Sequence, residues 1–293
     1  MKSPVSFWSR FNAYQRERFP VLLVIGSLFL PILSSAAVVG NFHTIGIITC
    51  LVITFLYLVL IRITDELRDY EHDLIFHPER PVSSGVVSTA ELSRIGIVAS
   101  ILFLALSATA GIASLVMAGV LLVYTYSAGK EFFLAHIIRQ RFFIYNAVNL
   151  VQMVLMQVYV YVLLGNLLIS ELIIAHLLFT TVGTLTFELL RKLKRPGEDG
   201  SGRDTYTWYL GFGRALGTYL ILTVLTAVTF GTVAFLMQGV FPTLIALGIV
   251  LVAGGAAWQH YRVRSVSSEV LLQAAYAGMY GIGNALIVLY AFI

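Results

Sequence analysis

The sequence has 293 residues, 58% of them hydrophobic and only 12% charged, with 19 Lys and Arg against 15 Asp and Glu. Soluble domains carry about 25% charged residues. Half that fraction over the whole length, with a mean hydropathy of +0.87, excludes an ordinary soluble domain and points to a polytopic membrane protein. Residues 1–19, MKSPVSFWSRFNAYQRERF, are too long and too charged for a signal n-region, and no small-x-small cleavage site follows. They are expected to form an uncleaved cytoplasmic tail, with Phe7, Trp8 and Phe11 on an interfacial amphipathic helix. Residues 20–293 are expected to form a single transmembrane domain. A bilayer core of about 30 Å needs roughly 20 apolar residues per helix. That rule predicts nine spans, near 20–39, 45–64, 92–110, 112–127, 142–164, 168–190, 214–236, 240–260 and 270–292. The third and fourth are separated only by TAGIAS, and as one helix they would greatly exceed the bilayer. The lone cysteine, Cys50, lies inside an apolar run, so no internal disulfide exists to report on redox compartment.

The basic residues alternate along this pattern. All 19 Lys and Arg fall in the N-terminal tail and in every second connection, from Arg62–Arg94, Lys130–Arg141 and Arg191–Arg214 to Arg262 and Arg264. The positive-inside rule places the N-terminus and these loops in the cytoplasm, and nine spans place the C-terminus outside. The opposite connections are short, so neighbouring spans form antiparallel hairpins. The partner of so apolar a surface is the lipid bilayer, and no nucleic-acid partner is expected.

The second predicted span ends in DELRDYEHD. Asp65, Asp69 and Asp73 are spaced i, i+4, i+8, which lines one helix face with like charge. One reading is a solvated loop. The other is a divalent cation: Mg²⁺ is held by a few carboxylates, waters and phosphate oxygens, so Asp65, Glu66, Asp69 and Asp73 could hold it with a diphosphate headgroup at the bilayer edge. Downstream, Pro78 and Pro81 bar a continuous helix. Arg80 there is either a positive-inside anchor or a bidentate phosphate clamp. A second loop, Phe187 to Ala215, mixes acids (Glu188, Glu198, Asp199, Asp204), bases (Arg191, Lys192, Lys194, Arg195) and glycines, as a diphosphate site would. Asn146, Asn149 and Gln152 recur on one face of the fifth span, either as helix–helix contacts or as cavity lining. Tyr159, Tyr161, Tyr276 and Tyr280 are packing or interfacial residues whose ring faces could also stabilise a cation.

Asp65-Glu66-x-x-Asp69-x-x-x-Asp73 resembles the NDxxDxxxD motif of the UbiA superfamily of intramembrane prenyltransferases, and HPERPVSSGVVS resembles its RPxxxGxxS continuation. YTYSAGK resembles the family's YSxxLKR-type loop, matching Tyr126, Ser127 and Lys130. EDGSGRDT resembles its second motif, matching Glu198, Gly202 and Thr205. Two positions depart: Asp65-Glu66 replaces Asn-Asp, and Lys194 stands where an acid is expected, so Glu188, Asp199 or Asp204 is the expected substitute. The resemblance implies an all-α bundle of about nine transmembrane helices around an apolar cavity. It also implies a Mg²⁺-dependent transferase of alkyl groups other than methyl, which ionises an allylic prenyl diphosphate and passes the prenyl group to a lipophilic acceptor, an aromatic one included. Asp65, Asp69, Asp73 and Lys130 are then the catalytic candidates. Arg80, Tyr126, Lys130, Asn146, Asn149, Arg191, Lys192 and Lys194 become candidates for substrate binding. A membrane terpene cyclase is the alternative that the same residues allow. A transporter predicts ionisable groups at mid-membrane, whereas Glu171 and Glu188 lie at span edges.

Overall fold

The computed structural model describes residues 6–138, 141–166, 168–198, 204–239 and 241–293. Among these the chain is all-α, without strands. Nine of the described helices are long and apolar enough to cross a membrane, as a multi-pass membrane protein requires. The helices group into two compact units, one built from the described residues up to Ile32 and from His43–Leu163, the other from Leu33–Phe42 and Leu164–Ile293.

The first unit contains α1 (Phe7–Arg18), the start of α2 (Val21–Val39), α3 (Thr44–Arg68), α4 (Tyr70–Phe76), α5 (Thr89–Thr109), α6 (Ile112–Gly129), α7 (Ala135–Ile138) and α8 (Phe142–Leu163). α3 packs on α5, α6 and α8. Its core is Ile53, Tyr57, Leu60, Ala99, Phe103, Ala118, Leu121 and Tyr159. Lipid tails are as apolar as leucine, so close packing and interhelical hydrogen bonds hold such helices together. Here Gln152 donates to Thr125 Oγ1 at 2.9 Å and to the Tyr57 hydroxyl at 3.3 Å, and Tyr159 meets Ser107 at 2.6 Å. Gln152 therefore ties α8 to α6 and α3, the first of the two roles expected for the α8 amides.

Two boundaries differ from expectation by a full helical turn. α3 continues to Arg68 rather than ending near 64. Beyond it the ladder runs on, with Asp69 N–H bonded to Asp65 O and Asp73 N–H to Asp69 O, each at 2.9 Å. The acids stay helical because a basic residue one turn away neutralises them, as described below. α13 (Val266–Tyr290) likewise starts before residue 270, because Ser265 and Ser268 form a capping box. The predicted break after α5 is real: Ala110 and Gly111 alone join α5 to α6, and Gly111 takes φ +114°, a conformation that favours glycine.

The second unit contains the rest of α2, then α9 (Glu171–Arg191), α10 (Tyr206–Leu210), α11 (Phe212–Leu236), α12 (Pro242–Val263) and α13. α11 packs on α9, α12 and α13. Phe179 stacks on Tyr280 with ring centroids 5.1 Å apart, and Phe187 meets Tyr276 edge-on at 4.9 Å. The α9 backbone comes close enough for this because residue 183 is glycine: a Cβ there would lie 2.2 Å from Tyr280 Cε2. Tyr276 and Tyr280 thus pack against neighbouring rings. A buried polar cluster joins Ser34 to His176 at 3.0 Å and to Asn284 at 2.6 Å.

Candidate functional site

The end of α3 carries the acid motif, and the first unit surrounds it with guanidinium groups. Arg68 Nη2 donates to Asp65 Oδ1 at 2.6 Å, and its Nε donates to Asp69 Oδ1 at 2.9 Å. Arg68 also donates to the Tyr145 hydroxyl of α8, whose ring centroid lies 4.7 Å from its Cζ. The Tyr145 hydroxyl in turn donates to Asp69 Oδ2 at 3.3 Å. Glu66, with a side chain only 1% exposed, accepts from Arg18 of α1 at 2.8 Å and from Arg62 one turn back. Asp73 is buried; Arg80 Nη1 lies 2.6 Å from its Oδ1, and Arg18 Nη2 lies 4.0 Å from its Oδ2. Four acids and four arginines therefore share one locality, which offsets the like-charge repulsion that the spacing alone would impose.

Local structure explains the placement. α1 docks through Tyr14 and Phe11 against Ile63, Val82, Val87 and Leu92. Its Arg10 pairs with Glu91 at 2.7 Å, the residue that completes the Ser88 capping box of α5. Burial, and next the Glu66 carboxylate, push the Tyr14 hydroxyl up to about 12, so it stays neutral beside the cluster. Pro78 and Pro81 turn the chain after α4, and Val82 and Val87 fold back into the same apolar patch. That turn carries Arg80 to Asp73. The C-terminal turn of α6 abuts the motif through Gly129, where a Cβ would sit 2.4 Å from Thr64 Cγ2. Lys130 follows and is exposed, and Tyr126 is 62% exposed. Asn146 is buried and donates to Phe142 O of its own helix at 2.7 Å, while Asn149 is half-buried.

His72, Asp73 and His77 place ligand atoms within 4.8 Å of one another, and neither histidine was among the sequence-based candidates. Asp73 is the member bound by Arg80, so a cation entering there must displace a guanidinium. The partners missed in the sequence are Arg18, Arg62, Arg68 and Tyr145. Arg62 and Arg68 had a local signal, their spacing of one helical turn from Glu66 and Asp65. Nothing in the linear order connects Tyr145 or Arg18 with the motif.

In the second unit, Glu188 near the end of α9 pairs with Arg191 and Lys192, each at 2.8 Å. Arg195 pairs with Glu198 at 2.5 Å and with Glu269 of α13 at 3.2 Å, and Lys194 lies 3.9 Å from Glu269. Thr207 Oγ1 accepts from Lys194 N at 2.8 Å and donates to Lys194 O at 3.0 Å, which ties the two ends of the loop. Burial pushes the Tyr206 hydroxyl up to about 12, and Glu188 acts in the same direction. Asp204 is exposed; Asp199 and Gly202 lie outside the described residues. Glu269 was absent from the sequence-based candidates, being far along the chain from the second loop.

Apart from His72, the clustered ligand groups from Asp65 to Asp73 are carboxylates, with the Tyr145 hydroxyl of α8 beside them. Hard oxygen donors of this kind suit Mg²⁺. The UbiA prenyltransferase family model matches residues 26–280. No curated protein matches the sequence. Among solved structures, the chain is similar to digeranylgeranylglyceryl phosphate synthase at 15% identity and TM-score 0.67, covering 97% of this chain and 99% of that one. It is similar to a UbiA homologue from Aeropyrum pernix K1 at 15% identity and TM-score 0.69, covering 90% and 97%. A UbiA homologue from Archaeoglobus fulgidus bound to GPP and Mg²⁺ matches at 16% identity and TM-score 0.59, covering 95% and 98%. At such identities the likeness to solved structures speaks for the fold. The family match spans most of the sequence, and the chain belongs to the UbiA prenyltransferase family.

Proposed function

We propose that this prenyltransferase is Mg²⁺-dependent and transfers the prenyl group of an allylic prenyl diphosphate to a lipophilic acceptor. The observation that carries this reading is the all-oxygen acid cluster at the end of an apolar span, with arginines interleaved. Asp65, Asp69 and Asp73, with Glu66, are the proposed Mg²⁺ ligands of the first motif. Asp65 and Asp69 keep an open edge, with side chains 30% and 36% exposed. In the second loop Glu188, Glu198, Asp199 and Asp204 are the proposed ligands. Bound there, Mg²⁺ would supply positive charge toward the leaving diphosphate. Arg80, Lys130, Arg191, Lys192 and Lys194 are assigned to the diphosphate oxygens, and Tyr126, Asn146 and Asn149 to the substrates. The apolar spans exclude water, which an allylic cation requires. Such walls favour a lipophilic acceptor, an aromatic ring among the classes that capture a carbocation. The N-terminus and basic loops are assigned to the cytoplasm and the C-terminus to the outside.

The test is pyrophosphate release from prenyl diphosphates of increasing length, by purified protein with Mg²⁺, with and without acceptors. Asp69→Ala and Asp73→Ala should each lower release by about 100-fold or more, as loss of transition-state charge stabilisation does, while leaving the protein folded in detergent. Undiminished turnover by either variant would remove the first motif from the reaction.

A further inference from the structure

Arg68 lies within the acid cluster with a side chain only 4% exposed, whereas the Asp65 and Asp69 side chains it binds are 30% and 36% exposed. The carboxylates keep an edge toward solvent that the guanidinium lacks. An exposed Arg–Asp pair is weak because two long side chains must be ordered for it. Here the Tyr145 hydroxyl and ring hold the guanidinium, and the same hydroxyl reaches Asp69 at 3.3 Å. The pairing with both aspartates is therefore built into the protein before any ligand arrives.

That arrangement opposes a divalent cation. A cation reaching Asp65 and Asp69 from their open edge meets lone pairs already engaged, and a positive charge behind them repels it. A diphosphate reverses the balance. Its oxygens offer a guanidinium the same two-oxygen target that a carboxylate does, so Arg68 can exchange one oxyanion for another without vacating the site. Resting on the reading that Asp65 and Asp69 hold the cation, we propose that Arg68 is their resting counter-ion and passes to the diphosphate on substrate binding, so that each ligand favours the other. The coupling is reciprocal by linkage.

The test uses the full chain in lipid nanodiscs, with Mn²⁺ as the paramagnetic stand-in for Mg²⁺ and geranyl diphosphate as the substrate probe. Without diphosphate, Arg68→Ala should bind Mn²⁺ about tenfold tighter than wild type, a shift typical of coupled sites. With the cation in fixed excess, the same variant should bind geranyl diphosphate about tenfold more weakly, through loss of a bidentate contact. Opposite shifts of the two affinities are not what a merely structural role produces. Tyr145→Phe keeps the arginine charge but releases one anchor, and should move Mn²⁺ affinity the same way by less. Arg68→Ala that binds Mn²⁺ no tighter than wild type overturns the exchange; should that variant fail to fold, Tyr145→Phe with wild-type Mn²⁺ affinity overturns it. Asp69→Asn separates the two readings. If it retains wild-type Mn²⁺ affinity, the cation assignment itself is wrong. If it loses Mn²⁺ while Arg68→Ala gains nothing, only the exchange is wrong.

Discussion

At the scale of single residues, neutral pairing decides what the acid motif is before substrate arrives. Asp65, Asp69 and Asp73 were legible from their spacing, because carboxylates one turn apart at the end of an apolar span stand out. Their partners were not, because Tyr145 and Arg18 reach them through tertiary structure. Glycines follow the same logic. Gly183 carries no motif, yet a Cβ at this position would collide with the Tyr280 ring. Gly183→Ala should therefore destabilise the second unit by about 1–3 kcal/mol, as overpacking does. The check is thermal unfolding in detergent with a double-mutant cycle: Tyr280→Leu should recover part of the loss, and a cycle with no coupling would show that the ring is not what the methyl meets.

At the scale of elements, the spans were legible because hydropathy and length alone define them, and their ends were not. α3 outran its apolar stretch because Asp65 and Arg68 pair across one turn. A short helix was expected in the N-terminal tail, and α1 is that helix, although Phe11, expected at the headgroups, packs against the protein. Trp8 is exposed, but Tyr14 is buried, and Arg10 and Arg18 tie both ends of the helix to Glu91 and Glu66. The helix is thus a strap held by apolar packing and charge together. Glu66 is almost wholly buried, so removing one partner leaves a charge poorly compensated, at a cost of several kcal/mol. Arg18→Ala should accelerate tryptic cleavage after Arg10 and Arg16 by about tenfold or more, since protease access follows local opening. Mass spectrometry of the released N-terminal peptides reads the rate; equal rates in variant and wild type would mean that the strap is held by its apolar face alone.

At the scale of the whole molecule, the placement of all 19 Lys and Arg in alternate connections predicts one orientation. A reporter that works only in the cytoplasm should be active when fused at the N-terminus and inactive at the C-terminus, and activity at both ends would mean an even number of crossings. The pattern was readable because it rests on composition; the architecture of each unit was not, because it rests on which side chains meet. The joint between α5 and α6 has a further consequence for biosynthesis. Ala110 and Gly111 give it no slack, and Gly111 is already committed to a positive φ. In a bilayer an exposed chain end with unmet backbone groups is unfavourable. With two residues to join them and close packing between them, α5 and α6 are expected to enter the membrane together, as one hairpin.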